Sequence, residues 1–224
     1  MTIATGGAVV DGLASETDPW RQVSDIRAAV SYVRNFPHLN PARIGFWGTS
    51  YAGGHVLTVS ALDQRVKAAV AQVPLVSGSR TFDNWVPAKK RTAFIQRLLE
   101  DHDARMRGEV PAVTRAAHSG SETAEWLATN DLTGAYRNEL TLQSLDLLRS
   151  YEPIAFAEQI SSKPLRMIVA NRDTQTPTPW QLEAFAQISG PKKFVQLDCR
   201  HYDVSMSHQV EAVSATAAWF EEHL

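Results

Sequence analysis

Apolar and polar positions along this chain group into short segments that switch between the strand period and the helix period. Residues 44–47 are apolar and rich in β-forming side chains, which predicts a short buried strand. Residues 55–62 are almost uniformly apolar and predict a buried helix, and residues 66–75 predict a second buried strand. Because short connections join these elements, we expect a βαβ unit with parallel strands and a right-handed crossover.

An amphipathic helix is expected before this unit. Asp18 and Pro19 suit the N-cap and the first helical position. The apolar stripe that follows has helical spacing and consists of Trp20, Val23, Ile26, Val30 and Val33. Ahead of this helix, residues 1–5 could form one short strand.

The last third of the chain repeats the alternation of strands and helices. Strands are predicted over residues 165–170 and 193–197, with a helix over residues 180–188 between them. A terminal helix is predicted over residues 207–224. Its apolar face is expected to contain Val210, Val213, Ala217 and Phe220.

The middle of the chain has a different character. Residues 77–150 are rich in charged side chains and aromatic residues, and their apolar positions have helical spacing only in pieces. We therefore expect an α/β core made of residues 1–76 and 151–224, with residues 77–150 inserted as a helical lid. The basic run within the lid is typical of a solvated helix face.

Composition narrows the class of protein. The chain has 224 residues, of which 44% are hydrophobic and 21% charged, and its formal net charge is −2. These values are typical of a globular protein and give no reason to expect nucleic acid or a membrane surface as a partner. The single cysteine, Cys199, excludes an internal disulfide. With no apparent signal peptide or membrane span, a cytoplasmic location is expected.

The strongest chemical signal lies between the first strand and its helix, in Gly48-Thr49-Ser50-Tyr51-Ala52-Gly53-Gly54. A strand that turns sharply into a helix brings the residues two before and two after the corner together, so these residues must be small. Such a turn exposes Ser50 as a nucleophile, and the Tyr51 amide would be one oxyanion donor. The alternative is a glycine-rich turn that contains an incidental serine.

Polar residues follow three of the predicted strands. Ser50 follows the first, Asp173 the third and His201 the fourth. Because sites in parallel sheets form at the carboxyl ends of strands, we expect His201 to take the serine proton and Asp173 to orient the imidazole. Asp173 could instead cap the next helix. Asp198 and Asp203 are rival acids, but each is too close to His201 in sequence to reach its far nitrogen easily.

The sequence predicts neither a second catalytic histidine nor a metal site. His55 is expected to be a packed residue near the nucleophile and not a base, because it lies one turn into the following helix. No cluster of histidine, cysteine, aspartate or glutamate has the spacing of metal ligands, so no metal is expected.

Several segments together resemble the α/β-hydrolase superfamily. They are Gly48-Thr49-Ser50-Tyr51-Ala52-Gly53-Gly54-His55, Arg65-Val66-Lys67-Ala68, Asn171-Arg172-Asp173-Thr174-Gln175-Thr176-Pro177 and Arg200-His201-Tyr202-Asp203. More narrowly, they resemble its dienelactone-hydrolase-like and X-prolyl-peptidase-like branch, which includes fungal polyketide transferases. The resemblance implies a mostly parallel sheet flanked by helices, and serine-dependent acyl chemistry on an ester, thioester or lactone without a cofactor. Trp85, Phe94 and Trp126 of the lid would then shape an apolar acyl pocket.

Two departures from that branch matter. The branch commonly has Gly-Gly-His-Phe-Asp near the base, where this chain has Cys199-Arg200-His201-Tyr202-Asp203, so Arg200 could crowd the site or bind an anionic group. The N-terminal strands also look shortened or missing, and in the branch they bring the loop with the second oxyanion donor. Either Gly6 and Gly7 fill that role in a shortened fold, or the chain is a truncated form.

The leading hypothesis from the sequence is a serine hydrolase that acts on a small-molecule acyl substrate. A second hypothesis keeps the same triad but passes the acyl group to an alcohol, an amine or a ring closure, as an acyltransferase or cyclase of secondary metabolism would. A third is a truncated, non-catalytic hydrolase fold that binds a ligand or partner. In that case exposed sheet edges would favour self-association into a homo-oligomer.

Overall fold

The protein is described from a computed structural model that covers residues 15–131 and 136–224. The strand predicted over residues 1–5 and the predicted contribution of Gly6 lie outside these described residues. Contacts divide the chain into two compact units. We call the described residues of Pro19–Gly78 and Tyr151–Leu224 the core unit, and those of Gly7–Asp18 and Ser79–Ser150 the second unit.

Helices and strands alternate through the described ranges. In chain order they are α1 (Pro19–Arg34), β1 (Gly45–Thr49), α2 (Tyr51–Leu62), β2 (Ala68–Gln72), α3 (Gly78–Trp85), α4 (Ala88–Met106), β3 (Val113–Thr114), α5 (Glu122–Asn130), β4 (Leu140–Thr141), α6 (Leu142–Arg149), β5 (Leu165–Ala170), α7 (Thr178–Gln187), β6 (Lys192–Leu197) and α8 (Gln209–His223). Short 3₁₀ helices span Pro153–Gln159 and Tyr202–Ser205.

The core unit is built on a parallel sheet. Its strands lie in the order β1-β2-β5-β6, and each neighbouring pair is parallel. Every residue of β2 is buried, as expected for a central strand covered on both faces. Parallel pairing brings the carboxyl ends of β1, β5 and β6 to one edge, where the residues that follow them can meet.

Two apolar clusters cover the two faces of this sheet. One contains Ala69 and Ala71 of β2 with Leu57 of α2, and the other contains Val70 of β2 with Trp219 of α8. The alternation along β2 follows from the two-residue period of a strand, which sends neighbouring side chains to opposite faces. The sheet is therefore an internal layer between helices.

The terminal helix differs from the prediction. The predicted face is wrong at Val210, which is 80% exposed, and at Val213, which is 58% exposed, whereas Ala212 and Trp219 are buried. Phe220 of the predicted face is partly buried and packs against the cluster that contains Trp219. The helix carries two apolar stripes, and the one that contains the large Trp219 ring removes more apolar surface from water. The guanidinium carbon of Arg166 also lies 4.8 Å from the centroid of that ring.

The second unit contains α3 from Ser79 onwards, α4 to α6, and the antiparallel pair β3 and β4. Its described core includes Leu98 of α4 and three buried leucines of α6, namely Leu142, Leu145 and Leu148. Residues 15–18 belong to this unit, whereas the sequence predicted them within the core. The interpretation of this unit as a lid stays a prediction.

Within the described ranges, no helix is both long and apolar enough to cross a membrane. The cytoplasmic location expected from the sequence stays a prediction.

Candidate active site

Ser50 stands at a sharp corner between β1 and α2. Its backbone φ is 55° and its ψ is −117°, a conformation that non-glycine residues rarely adopt. A Cβ atom on Gly48 would lie 2.7 Å from the carbonyl carbon of Ala52, and one on Gly53 would lie 2.8 Å from the Cα atom of Pro74. The corner therefore requires the glycines from which the sequence predicted it.

The last residue of β2 and the segment that follows this strand bind the backbone amide and carbonyl of Ser50. The Ser50 amide donates to the Gln72 carbonyl at 2.9 Å, and the Ser50 carbonyl accepts from the Leu75 amide at 2.9 Å. These bonds fix the strained backbone at the carboxyl edge of the sheet. Strain at one residue persists only where the surrounding structure determines it in this way.

His201 lies next to this corner and connects two other residues that the sequence predicted. Its Nε2 atom is 2.9 Å from the Ser50 hydroxyl, and its Nδ1 atom is 2.8 Å from Oδ2 of Asp173. An ionised carboxylate only accepts hydrogen bonds, so we assign the ring hydrogen to Nδ1 and leave Nε2 to accept from the serine. The structure thus joins Ser50, His201 and Asp173 in one chain of hydrogen bonds.

The Asp173 carboxylate is surrounded by donors. Its Oδ1 atom accepts from the amides of Gln175 and Thr176, both at 2.9 Å. Its Oδ2 atom faces the Thr176 hydroxyl at 2.9 Å and the Gln181 amide nitrogen at 3.1 Å, in addition to His201. These contacts compensate for the loss of water around a side chain that is fully buried.

Sequence reasoning missed Thr176 and Gln181 as parts of this network. Thr176 lies three residues after Asp173, which suggested a turn or a helix start, and Gln181 lies within the first turn of α7. A polar side chain that is fully buried on a helix indicates a hydrogen-bonded network, because buried polar groups need partners. The sequence alone does not show that Gln181 is buried, so this indication was available only from the fold.

The two rival acids have other partners. Asp203 accepts from the Arg200 amide at 3.0 Å, and that bond is the main reason that its pKa is lowered. Its Oδ2 atom also lies 3.5 Å from Nε of Arg200. Asp198 pairs with Arg172 at 3.3 Å, and its side chain is 81% exposed.

The other predicted site residues fall in different places. Tyr51 is the first residue of α2, where amide groups project from the helix N-terminus, and its ring stacks on Tyr151 with centroids 6.2 Å apart. Trp85 ends α3 in the second unit and is 39% exposed. Gly6 lies outside the described residues. The roles predicted for Trp85 and Gly6 stay predictions.

His55 belongs to a separate buried network on α2. Its Nε2 atom lies 2.9 Å from Oε1 of Gln22, and its Nδ1 atom lies 2.8 Å from the hydroxyl of Tyr151, which also contacts Thr58 at 2.9 Å. Because the Gln22 oxygen only accepts, Nε2 carries the ring hydrogen and Nδ1 accepts from Tyr151. Burial lowers the pKa of His55 from 6.5 to about 4, so this ring stays neutral near pH 7.

A cavity of about 520 Å³ lies beside β1, away from these groups. It is lined mainly by apolar side chains of α1, β1 and α8, such as Ile26, Phe46 and Phe220. The lining does not include Ser50, Asp173 or His201, so we assign no chemistry to it.

In the part of the chain that the structure describes, no three histidine, cysteine, aspartate or glutamate residues are grouped so that they could hold a metal ion. Burial raises the pKa of the Cys199 thiol to about 11, and nearby negative charges act in the same direction. A thiol with so high a pKa is a poor nucleophile near neutral pH.

Comparisons with known proteins show which families the chain resembles. A family model described as acetyl xylan esterase (AXE1) matches residues 2–118. A polyketide transferase, claH, from Penicillium crustosum is 26% identical over 214 residues, which cover 88% of this chain and 69% of that protein. A thiohydrolase from Eupenicillium brefeldianum is 25% identical over 91% of this chain and 69% of its own length.

Solved structures support the fold. The α/β-hydrolase GrgF from Penicillium sp. sh18 matches with a TM-score of 0.81 and 22% identity, over 93% of this chain and 73% of that one. The α/β-hydrolase fold that the sequence predicted is therefore confirmed.

Proposed function

The chain belongs to the acetyl xylan esterase (AXE1) family, and from this premise we propose that it is a serine hydrolase of a small carboxylic ester, lactone or thioester. Its place in the α/β-hydrolase superfamily and the dienelactone-hydrolase-like branch, expected from the sequence, is confirmed. In this proposal Ser50 is the nucleophile, His201 the base and Asp173 the acid that orients the base.

The single observation that supports this proposal most is the hydrogen-bonded chain from Ser50 to Asp173. The serine hydroxyl lies 2.9 Å from His201 Nε2, within the distance that a general base needs. The carboxylate at 2.8 Å on the other side fixes the ring in the tautomer that leaves Nε2 free to take a proton. The strained corner at Ser50 has the geometry of a nucleophile elbow. The order serine, aspartate, histidine along the chain is that of the catalytic triad in α/β-hydrolases.

In the acylation step, the Ser50 oxygen attacks the carbonyl carbon of the substrate while His201 Nε2 takes the hydroxyl proton. The carbonyl π electrons move to oxygen, and the resulting oxyanion is stabilised by the Tyr51 amide and the N-terminus of α2. The Asp173 carboxylate faces the imidazolium that has formed. When the carbonyl re-forms, the bond to the alcohol or thiol breaks and His201 gives its proton to that leaving group.

Deacylation repeats these steps with water. His201 takes a proton from a water molecule whose oxygen attacks the acyl-enzyme, and the bond to Ser50 then breaks as the serine recovers a proton from His201. The carboxylic acid leaves and the resting site is restored. No cofactor takes part in this proposed sequence. Gly6 as a second oxyanion donor and Trp85 as a wall of the acyl pocket are proposals that rest on the sequence alone.

Acyl transfer is a second candidate, favoured by two of the relatives. Besides claH, an acyltransferase, drtE, from Aspergillus calidoustus is 25% identical over 84% of this chain. The same acyl-enzyme would then be released by an alcohol, an amine or a group of the acyl chain itself. Adding increasing concentrations of an alcohol and measuring the ratio of ester to free acid separates transfer from hydrolysis.

The proposal is tested by turnover of p-nitrophenyl acetate and a short acyl thioester. Replacing Ser50 by alanine removes the nucleophile, and a loss of kcat on the order of 10⁴-fold or more is expected. Ser189→Ala is the matched control, because that serine is exposed and donates only to the Glu158 carbonyl among the contacts described. Undiminished turnover in the Ser50→Ala variant would overturn the proposal.

A further inference from the structure

The Thr176 hydroxyl lies at the centre of the acid–base pair, although the mechanism above gives it no task. It is 2.9 Å from Oδ2 of Asp173, 3.3 Å from Nδ1 of His201 and 3.0 Å from the Val73 carbonyl. We propose that Thr176 is a positioning residue that holds Asp173 and His201 in register with Ser50. This inference rests on the proposed function, since it assigns a role within the same triad.

The Thr176 hydroxyl faces more hydrogen-bond acceptors than it has hydrogens to donate. A threonine hydroxyl has one hydrogen to donate, whereas the Val73 carbonyl and the ionised Asp173 carboxylate can only accept. The hydrogen therefore serves one of the two at a time, and the charged carboxylate is the stronger acceptor. Thr176 is only 4% exposed, so water does not replace whichever bond is absent as it would at the surface.

This arrangement suits a site whose charge changes during the reaction. While His201 is neutral, the hydroxyl donates to Asp173 and helps to stabilise its negative charge. When His201 becomes an imidazolium, it neutralises much of that charge, and the hydroxyl hydrogen can turn towards Val73, leaving an oxygen lone pair towards the ring 3.3 Å away. The hydroxyl only rotates about the Cβ–Oγ1 bond of Thr176, and its hydrogen stays on the oxygen.

The backbone segment that accepts from the Thr176 hydroxyl also binds the nucleophile. Gln72 and Val73 are consecutive, and the Gln72 carbonyl accepts from the amide of Ser50 while the Val73 carbonyl accepts from Thr176. The same short segment thus holds both the nucleophile and the loop of the acid. A hydroxyl at residue 176 connects these two halves of the site directly.

Val73 has an unusual backbone that supports this assignment. Its φ is 37°, in the left-handed region that β-branched residues avoid, and its amide donates to the Ile168 carbonyl at 2.7 Å. Strained residues cluster where a carbonyl or side chain must be aimed at a functional group. Here the carbonyl of the strained residue is the one that faces Thr176.

Gln181 completes the positioning of the threonine. Its side-chain nitrogen lies 3.1 Å from Oδ2 of Asp173 and 3.3 Å from the Thr176 hydroxyl, and it also donates to the Thr176 carbonyl. Because that nitrogen faces acceptors, it must be the NH₂ end of the amide. Thr176 is thus fixed through its amide, its carbonyl and its hydroxyl.

The test compares two substitutions of the threonine with a matched control. Thr176→Val keeps the shape and removes the hydroxyl, and Thr176→Ser keeps the hydroxyl. Thr178→Val is the control, since Thr178 is also a buried threonine whose hydroxyl donates to a backbone carbonyl, that of Ala170, and not to the Asp173 carboxylate or the His201 ring. Steady-state turnover of p-nitrophenyl acetate gives kcat and KM for each variant, and thermal unfolding measures folding.

We expect Thr176→Val to lower kcat about tenfold or more with KM changed less than about twofold, because a hydrogen bond to a charged group is lost. Thr176→Ser should return kcat to within about threefold of the parent, and Thr178→Val should keep parental kcat even if its melting temperature falls. Parental kcat in Thr176→Val, no recovery in Thr176→Ser, or an equal loss in Thr178→Val would each overturn the inference.

Ser50→Ala is measured in the same assay to separate two kinds of failure. If Ser50→Ala loses turnover while Thr176→Val keeps it, only the inference about Thr176 is wrong. If Ser50→Ala keeps turnover, the proposed function and the inference that rests on it are both wrong.

Discussion

His55 and His201 are both almost completely buried in the core unit, and each ring has hydrogen-bonding partners at both nitrogens. His55 is 1% exposed and faces Tyr151 and Gln22, which are uncharged. His201 is 3% exposed and faces the Asp173 carboxylate on one side and the Ser50 hydroxyl on the other. Burial is therefore common to both rings, and their partners differ.

The difference teaches what a buried histidine needs in order to act as a base. Removal from water disfavours the charged ring, and among the described residues no charge offsets that effect at His55, so its pKa falls to about 4. At His201 a carboxylate faces the nitrogen opposite the serine, and an imidazolium formed there has a counter-charge at hydrogen-bond distance. The network on α2 stabilises structure, while the network on Asp173 suits proton transfer.

The largest predicted loss of activity comes from replacing the charged partner of His201 by a neutral one, so that its partners become uncharged like those of His55. Asp173→Asn removes the counter-charge and can present an amide hydrogen to Nδ1, which favours the wrong tautomer. We expect kcat/KM for p-nitrophenyl acetate to fall by about 10⁴-fold. Asp198→Asn is the control, because that exposed carboxylate pairs with Arg172 and not with His201, and its kcat/KM should stay within about twofold.

If Asp173→Asn retained most of its activity, the acid would be a different residue. Asp203→Asn would then be the next variant to measure, although its carboxylate is bound to the Arg200 amide in this structure.

The second prediction concerns pH and the neutral histidine. Between pH 6.5 and about 4 the unfolded chain binds a proton at His55 that the folded chain does not, so stability falls as the pH is lowered through this window. Keeping His55 neutral in the folded chain should contribute about 3 kcal/mol to the free energy of unfolding above pH 6.5, and this contribution is lost by about pH 4. Urea unfolding at several pH values, with His55→Gln as the reference, measures the difference.

The stability of the His55→Gln variant should change less with pH than that of the parent over the same window. Identical pH dependence in the two proteins would mean that His55 is not held neutral by the fold.

A smaller effect is expected at the partner of that histidine. Tyr151→Phe removes the hydroxyl that donates to His55 and contacts Thr58, and the buried Nδ1 atom of His55 loses its donor. We expect a loss of about 1–2 kcal/mol in stability and kcat within about twofold of the parent. Tyr32→Phe, at a ring that is 64% exposed, is the control and should change neither.

A loss of activity in Tyr151→Phe as large as that in Asp173→Asn would contradict the division between the two networks. It would mean that the Tyr151 hydroxyl, through its contacts with His55 and Thr58, also controls the reaction.

The corner at Ser50 could be predicted from the sequence because backbone geometry there restricts the residue type. Gly48 and Gly53 have no room for a Cβ atom, so glycine is required there. The resulting pattern of small residues around the serine can be recognised in the sequence without a structure. The placement of His201 and Asp173 followed from the rule that parallel strands end at one edge. These inferences depend on backbone geometry at the corner and on the parallel direction of the strands, and both leave patterns in the sequence.

The polar network around Asp173 could not be predicted. Whether the Thr176 hydroxyl turns towards Asp173, and whether Gln181 is buried, depends on rotamers and on the packing of α7 against the sheet. The same limit explains the wrong face of α8. Two apolar stripes were available on that helix, and tertiary packing chose the one with Trp219.

The most direct test of the central claim is labelling with a fluorophosphonate, followed by trypsin digestion and mass spectrometry. Cleavage after Arg43 and Arg65 releases residues 44–65, which contain Ser50 and Ser60, and fragmentation distinguishes the two serines. We predict one phosphonate per chain on Ser50, and no label in the Ser50→Ala variant. No labelling of the parent, or equal labelling of the variant, would contradict the assignment of Ser50 as an activated nucleophile.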